Sequence, residues 1–269
     1  MDIDTITIRG GTGKDGKPEP LSAVEFRMGD VVSIVGPTGC GKTTLINDLE
    51  LFADGDTPSG RKILINGQAR PEEFLSDPSR NPIALISQHT NFLSDLPVGE
   101  FLRIHAGVRQ SGNPEQLVKE TLEFANQLTG EPLNLQSAMT ELSGGQTRSL
   151  LIADAVIIGN APIILLDEIE NAGIHRTKAL ELLRKYRKIF VFVTHDPRIA
   201  LMSDYRIVIG NGAMRELIVT DEEEKAVVGE IKKIDDLLLD FRSIVRAGGR
   251  LTTGEMARRM RAIGYVEGA

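Results

Sequence analysis

The run Gly36-Pro37-Thr38-Gly39-Cys40-Gly41-Lys42-Thr43-Thr44 holds the densest chemistry in this sequence. It matches the pattern G-x-x-x-x-G-K-[ST] in full from Gly36 to Thr43. The apolar run Val31-Val32-Ser33-Ile34-Val35 precedes it, and Leu45-Ile46 continues it in a helical register. Strand, glycine-rich loop and helix is the setting a phosphate-binding loop requires. Glycines let backbone N–H groups turn inward around an anion, where a Cβ would obstruct. The helix start adds free N–H donors and positive dipole character. Lys42 is placed to reach β- and γ-phosphates and Thr43 to ligate Mg²⁺. The expected ligand is a nucleoside triphosphate.

Other polar residues end apolar runs. Pro162-Ile163-Ile164-Leu165-Leu166-Asp167-Glu168 reads as a strand closing on two carboxylates. Beside a phosphate loop, Asp167 is expected to hold Mg²⁺, directly or through water, and Glu168 to act near the γ-phosphate as a base or water-positioning group. Taken alone, a buried strand that ends in a polar turn explains these residues equally well. Thr194-His195-Asp196 ends the run at 189–193. A polar residue at a strand's carboxyl end faces the ligand crevice of an open α/β sheet, so His195 could donate to a γ-phosphate oxygen. On its own such a histidine is more often structural. Gln88 follows the run at 83–87 and could reach the metal or the attacking water by its amide. By itself it is a weak signal.

Leu142-Ser143-Gly144-Gly145-Gln146 precedes a helical stretch at 147–158. Ser and two Gly before a helix again expose N–H groups to an anion. The phosphate loop already surrounds one set of phosphates, so this second anion site is expected to serve the nucleotide of another copy. Cys40 lies in the loop near a helix start, where a thiol pKa falls and redox inhibition becomes possible. A packing role for a small residue is the stronger reading, because phosphate contacts there come from backbone.

The elements that must position these residues alternate. Strands are expected around Ile3, Ile6 and Ile8, at 24–28, 31–35, 61–65, 83–87, 162–166, 189–193 and 205–209, with a hairpin turn at Gly29-Asp30 and a turn at Asn66-Gly67. Residues 10–20 read as a loop. From Pro97 to Leu128 the apolar positions fall at helical spacing, so this block reads as a helical insertion. Helices are expected again at 150–158 and 177–186. Continuous apolar strands alternating with helices imply an α/β fold with a mostly parallel, buried sheet. Near the end, Val227, Ile231, Ile234, Leu238, Phe241 and Val245 are spaced alternately four and three, giving one apolar helical face. Packing on its own chain is the favoured reading, with a partner interface as the alternative. Thr252 and Glu255 resemble a capping box before a last short helix, whose Arg258, Arg259 and Arg261 read as a solvated face.

The 269 residues suffice for one large α/β domain with an appendage. Apolar residues make up 41% and charged residues 26%, an ordinary globular balance. The net charge of −7 argues against broad nucleic-acid or anionic-membrane binding, so nucleic acid is not an expected partner. One cysteine allows no intrachain disulfide, which suits a reducing cytosol. No window approaches the ~18 apolar residues of a membrane span, and the acidic start Met1-Asp2-Ile3-Asp4 is unlike a signal peptide. The expected location is cytoplasmic, with any membrane role peripheral, at the inner face and through another chain.

With these motifs in this order, the chain resembles the ATP-binding cassette (ABC) ATPases over about residues 1–215. Residues 36–44 resemble Walker A, Gln88 the Q-loop, residues 142–146 the intact Leu-Ser-Gly-Gly-Gln signature, residues 163–168 Walker B and His195 the switch histidine. The resemblance implies a P-loop NTPase core with an antiparallel β subdomain and a helical subdomain at about 95–142, within a domain at 1–218, followed by a helical extension at 219–269. It implies ATP and Mg²⁺, with Gly36, Pro37, Thr38, Gly39, Cys40, Gly41, Lys42, Thr43 and Thr44 around the nucleotide and Ser143, Gly144, Gly145 and Gln146 acting across a dimer. Thr43, Gln88 and Asp167 would hold the metal, and Glu168, His195 and Gln88 would serve hydrolysis. The partner expected is a second cassette, as a homodimer, together with a membrane permease subunit or a soluble protein client. Hydrolysis driving a transporter is the leading reading; a soluble cassette that remodels a protein is the alternative.

Three departures from the family pattern stand out. The region 10–15 lacks the aromatic that usually stacks on adenine, although Phe26 or a partner could supply one. The turn after Walker B reads Ile169-Glu170-Asn171-Ala172-Gly173-Ile174-His175 in place of Ser-Ala-Leu-Asp. Asp154 stands where transporter cassettes typically carry Arg. The changed turn and the helical tail favour the soluble reading.

Overall fold

Strands with no polar alternation need a sheet covered on both faces. Here β3 (Val31–Val35), β6 (Ile83–Ile86), β7 (Ile163–Asp167), β8 (Ile189–Val193) and β9 (Tyr205–Gly210) run parallel in a six-stranded sheet of order β10-β9-β3-β8-β7-β6, with β10 (Ala213–Val219) antiparallel at its edge. The computed structural model describes residues 3–76, 80–87, 90, 94–109, 113–167 and 176–265. Every residue of β8 is buried. Successive side chains alternate between two cores: Phe190 and Phe192 face one with Ile164 and Leu166, while Ile189, Val191 and Val193 face the other with Ile163 and Leu165.

The first core is closed by helices α3 (Val98–Arg109), α4 (Pro114–Leu128), α5 (Gly144–Ile157) and α6 (Arg176–Leu183). The helical block read from periodicity is α3 and α4. Asn113 caps α4 by accepting from Glu115 N at 3.1 Å, and Pro114 fills the first position, where no N–H is needed. The second core holds α1 (Lys42–Glu50), Phe74 of the short helix α2 (Glu73–Ser76) and a four-stranded antiparallel sheet of order β2-β1-β4-β5. Its strands are β1 (Thr5–Arg9), β2 (Ala23–Arg27), β4 (Lys62–Ile65) and β5 (Gln68–Ala69).

The turn at Gly29-Asp30 does not make the expected hairpin. β2 pairs with β1, and β3 belongs to the other sheet. β2 alternates buried and exposed residues, whereas the first four residues of β3 are all buried. One dry face suits the antiparallel sheet and two dry faces suit the parallel one, so the chain changes sheets at this turn. Two further elements that escaped the sequence reading carried local signals. The strand β10 (Ala213–Val219) folds back on β9 through Asn211 and Gly212, at φ 53° and 81°, a hairpin signal that was legible in the Asn-Gly pair. The short helix α7 (Pro197–Met202) is capped by Asp196, which accepts from Arg198 N at 2.8 Å.

The chain divides into two units, Met1–Val219 and Thr220–Ala269. In the second, α8 (Glu222–Arg246) starts on Asp221, which accepts from Glu224 N at 2.8 Å, and three glutamates occupy its positive first turn. Thr252 caps α9 (Thr253–Ala262) by accepting from Glu255 N at 3.2 Å. Arg259 ion-pairs with Asp240, and the Tyr265 hydroxyl donates to Glu230 at 3.2 Å, tying α9 to α8. Arg258 and Arg259 are also held by Glu255, at 2.7 and 2.8 Å. No helix among the described residues is long and apolar enough to cross a membrane.

A buried ion network joins the first unit's parts. Arg61, fully enclosed, pairs with Glu19 at 2.5 Å and with Asp48 of α1 at 2.8 Å, and donates to Gly212 O at 2.7 Å. Burial opposes its charge, but the hydrogen bonds and charges of Glu19 and Asp48 outweigh this and raise its pKa above the usual value. Glu19 also accepts from Gly11 N and Met214 N, at 3.0 and 2.6 Å. Removing Arg61 leaves two buried carboxylates without a cation. Arg61→Ala should cost about 3–5 kcal/mol in urea unfolding; a loss under about 1 kcal/mol would mean that water relieves the carboxylates.

Lys188 is buried, with its ammonium on Asn160 Oδ1 at 2.7 Å and Ala161 O at 2.9 Å, and burial lowers its pKa to about 8. From there up to the ordinary lysine value of 10.5 the unfolded chain binds more protons than the native one. Native stability therefore rises with pH across that window, and below it the full cost of charging is present. Lys188→Met, unfolded in urea at a series of pH values, should lack this rise; parallel curves for variant and wild type would contradict the assignment.

Candidate active site

The phosphate loop leaves β3 and enters α1 with almost no side chain in its path. Gly36 has φ 152°, and a Cβ there would meet Ile209 O at 2.4 Å and Cys40 Sγ at 2.7 Å, so only glycine fits. Cys40 is buried beneath the loop, in keeping with a packing role. Its carbonyl accepts from Gly212 N at 2.7 Å, which pins the loop to the β9–β10 turn. Pro37, Thr38, Gly39, Thr43 and Thr44 are exposed. The N-cap of α1 is Gly41, with no side-chain cap, so the first N–H groups keep their capacity for an anion. Lys42 is buried, and its ammonium spans the loop to Gly36 O at 2.9 Å and Pro37 O at 3.2 Å.

Parallel pairing brings the other strand-end residues to the same edge. Asp167 ends β7 in register with Val193 of β8, one residue before Thr194. β8 lies between β7 and β3, and Thr194 N donates to Ile34 O at 3.3 Å. His195 is exposed beside it, while Asp196 turns away to cap α7. Gln88 and Glu168 lie outside the described residues, as does the divergent turn 169–175. β6, the strand preceding Gln88, is the neighbour of β7.

The signature segment forms a complete capping box. Ser143 Oγ accepts from Gln146 N at 3.3 Å, and Gln146 Oε1 accepts from Ser143 N at 2.9 Å. Gly144 and Gly145 are its first helical residues. Two features here had no sequence signal. Ser143 Oγ donates to Glu131 at 3.1 Å, from a loop twelve residues earlier. Asp154, on α5, sits 2.8 Å from His105 Nδ1 on α3, and Arg109 Nε donates to His105 Nε2 at 3.4 Å. The arginine's approach leaves the imidazole proton on Nδ1, donated to Asp154. Asp154 thus has a partner inside the helical block. Phe26 is not available to stack on a base: it is buried and packs on Tyr205 at 5.6 Å.

The whole arrangement has known counterparts. A family model described as ABC transporter matches residues 22–171. The chain belongs to this family. An uncharacterized ABC transporter ATP-binding protein of Methanocaldococcus jannaschii is 50% identical over 252 residues, which is 94% of this chain and 96% of that one. The ATP-dependent lipid A-core flippase of Burkholderia pseudomallei is 33% identical over 81% of this chain, but the chain spans only 38% of that protein. A solved dimeric ATP-binding cassette in a post-hydrolysis state, bound to ADP and Pi, superposes with a TM-score of 0.60 at 25% identity over 80% of this chain and 99% of that one. The chain is an ABC ATPase, which binds and hydrolyses ATP.

In this cassette Lys42 carries the one buried ammonium on the loop. Lys42→Ala should weaken ATP binding at least tenfold in a calorimetric titration, because charge-assisted contacts to phosphate contribute about 1.5–3 kcal/mol. Near wild-type affinity would contradict the role assigned to it.

Proposed function

We propose that this ATPase works as one half of a cassette pair that drives a membrane transporter, each half completing the other's nucleotide site. One observation carries the pairing: α5 begins in a capped start at Ser143-Gly144-Gly145-Gln146, with Ser143 and Gly144 exposed and Gly145 and Gln146 half-buried, while the loop at residues 36–44 is a separate anion site. Two copies related by a two-fold axis would satisfy both sites twice, since such an interface is self-complementary. The solved cassette dimer bound to ADP and Pi supports the reading. In the pair, the Ser143 hydroxyl would trade Glu131 for the γ-phosphate.

Within each site, the loop N–H groups and Lys42 would hold the phosphates. Thr43, exposed on the first turn of α1, and Asp167 at the strand edge offer hard oxygen donors that suit Mg²⁺, with Gln88 as a third candidate. Bound there, the ion would neutralise charge on the β- and γ-oxygens. Glu168, next in sequence to Asp167, would accept the proton of the attacking water, and His195 would steady the γ-phosphate. The residues supply positioning and charge, which dominate phosphoryl transfer.

The membrane role rests on the relatives, which are named as transporter ATP-binding proteins and a flippase. The chain would act on the cytoplasmic side through a permease subunit. The divergent turn 169–175 favours a second reading, a soluble cassette that works on a protein client. Glu168→Gln keeps the shape of the side chain while removing the base. It should bind ATP, lose at least about 100-fold in turnover, and accumulate as a dimer on size exclusion; Ser143→Arg should bind ATP but stay monomeric. Unchanged turnover in Glu168→Gln would place the base elsewhere, and loss of ATP binding in monomeric Ser143→Arg would place the signature in its own site. Recovery of a multi-span membrane chain with the trapped dimer decides for transport, and of a soluble chain alone for the second reading.

A further inference from the structure

The segment at residues 10–20 lays a second lysine on the phosphate loop. Thr12 bridges Pro18, and Gly13 N donates to Lys17 O at 2.9 Å, which closes a small hairpin. At its tip Lys14 N donates to Asn211 O at 2.8 Å. From that anchor the Lys14 ammonium reaches the Gly39 carbonyl at 2.7 Å. The approach is tight enough to demand a glycine beneath it: a Cβ on Gly212 would lie 2.8 Å from Lys14 Cγ and 2.9 Å from Lys14 N. The same Gly212 holds the Cys40 carbonyl, so one turn fixes both the lysine and the loop.

Two ammonium groups therefore rest on carbonyls of one short loop, Lys42 on Gly36 and Pro37 and Lys14 on Gly39. Among the described residues no carboxylate ion-pairs with Lys14, and neighbouring Asp15 turns back to accept from Lys17 N at 3.2 Å. A neutral carbonyl is a modest partner for an ammonium. The oxygens of a triphosphate, held in the same loop, are far stronger ones. We infer that Lys14 is a nucleotide-binding residue that pairs with the phosphates alongside Lys42, so that part of the grip on the nucleotide is electrostatic and indifferent to the base. The inference rests on the loop's reading as a nucleoside-triphosphate site. It also accounts for the segment's composition: residues 10–15 hold no aromatic and Phe26 is buried, so charge acts where stacking is missing.

The plain alternative is a staple that only fastens the hairpin to the loop, and one experiment separates the two. Wild-type chain, Lys14→Met and Lys14→Arg are titrated with ATP, GTP and inorganic tripolyphosphate at low and high salt, and their nucleotide-free melting temperatures are compared. Lys14→Met should weaken all three ligands by a similar factor, about tenfold, as expected for a charged contact that ignores the base. Lys14→Arg should retain most of the affinity. The gap between wild type and Lys14→Met should shrink as the Debye length falls from ~10 Å at 0.1 M to ~3 Å at 1 M salt, because Lys14 is exposed. Nucleotide-free melting should stay unchanged. Unchanged affinities overturn the inference, as does a loss confined to ATP, which would make Lys14 a base reader. A loss that persists at high salt with a lowered melting temperature makes it a staple. If the wild type bound none of the three ligands, the underlying site reading would fail and take the inference with it; a binding wild type with an unaffected Lys14→Met removes the inference alone.

Discussion

The enclosed guanidinium of Arg61 is the interaction on which the first unit depends. It comes from the residue just before β4 of the antiparallel sheet, and its partners come from elsewhere in the chain: Glu19 from the end of the hairpin segment, Asp48 from the phosphate helix and Gly212 from the β9–β10 turn. A buried charge tolerates no half-measures, because each unpaired ion carries a large desolvation cost. The geometry of all four pieces is therefore set together. The phosphate loop sits among them, held through Cys40 to Gly212 and through α1 to Asp48. Nonspecific apolar packing alone would leave such a loop freer to shift.

The parallel sheet supplies the second constraint. β3, β8 and β7 are neighbours in one direction, so whatever follows each strand emerges at one edge. Loop, His195 and Asp167 meet there although more than a hundred residues of chain separate the loop from the other two. The strands can be wholly apolar because chemistry is confined to their ends. This division lets the sheet be rigid where it packs and polar where it works.

Around α5 the polar residues settle a different matter. Ser143 and Gln146 satisfy each other's backbone N–H groups, so the helix start is held in place without a ligand. In the last turn of α5, Asp154 is tied to His105 and fastens this helix to α3, the first helix of the helical block. A carboxylate at this position is compatible with the fold because the His105 imidazole meets it, and Arg109 orients that imidazole from the next turn of α3.

Local patterns by themselves determined much of this protein. The loop at residues 36–44, the apolar strands read at 83–87, 162–166 and 189–193, the helical block, the helix start at Ser143 and the cap Thr252 were legible because each depends on neighbours within a few positions. The Asn211-Gly212 hairpin and the Asp196-Pro197 helix start carried equally local signals that went unread. What only the tertiary structure decided involves partners distant in sequence. The sheet change at Gly29-Asp30, the burial of Phe26 against Tyr205, the pairing of Asp154 with His105, the Arg61 network and the contact of Lys14 with Gly39 have no periodicity to announce them. The physical reason is the same in each case: a charge or ring finds its partner through the packing of whole elements, and spacing along the chain records only which residues share a face.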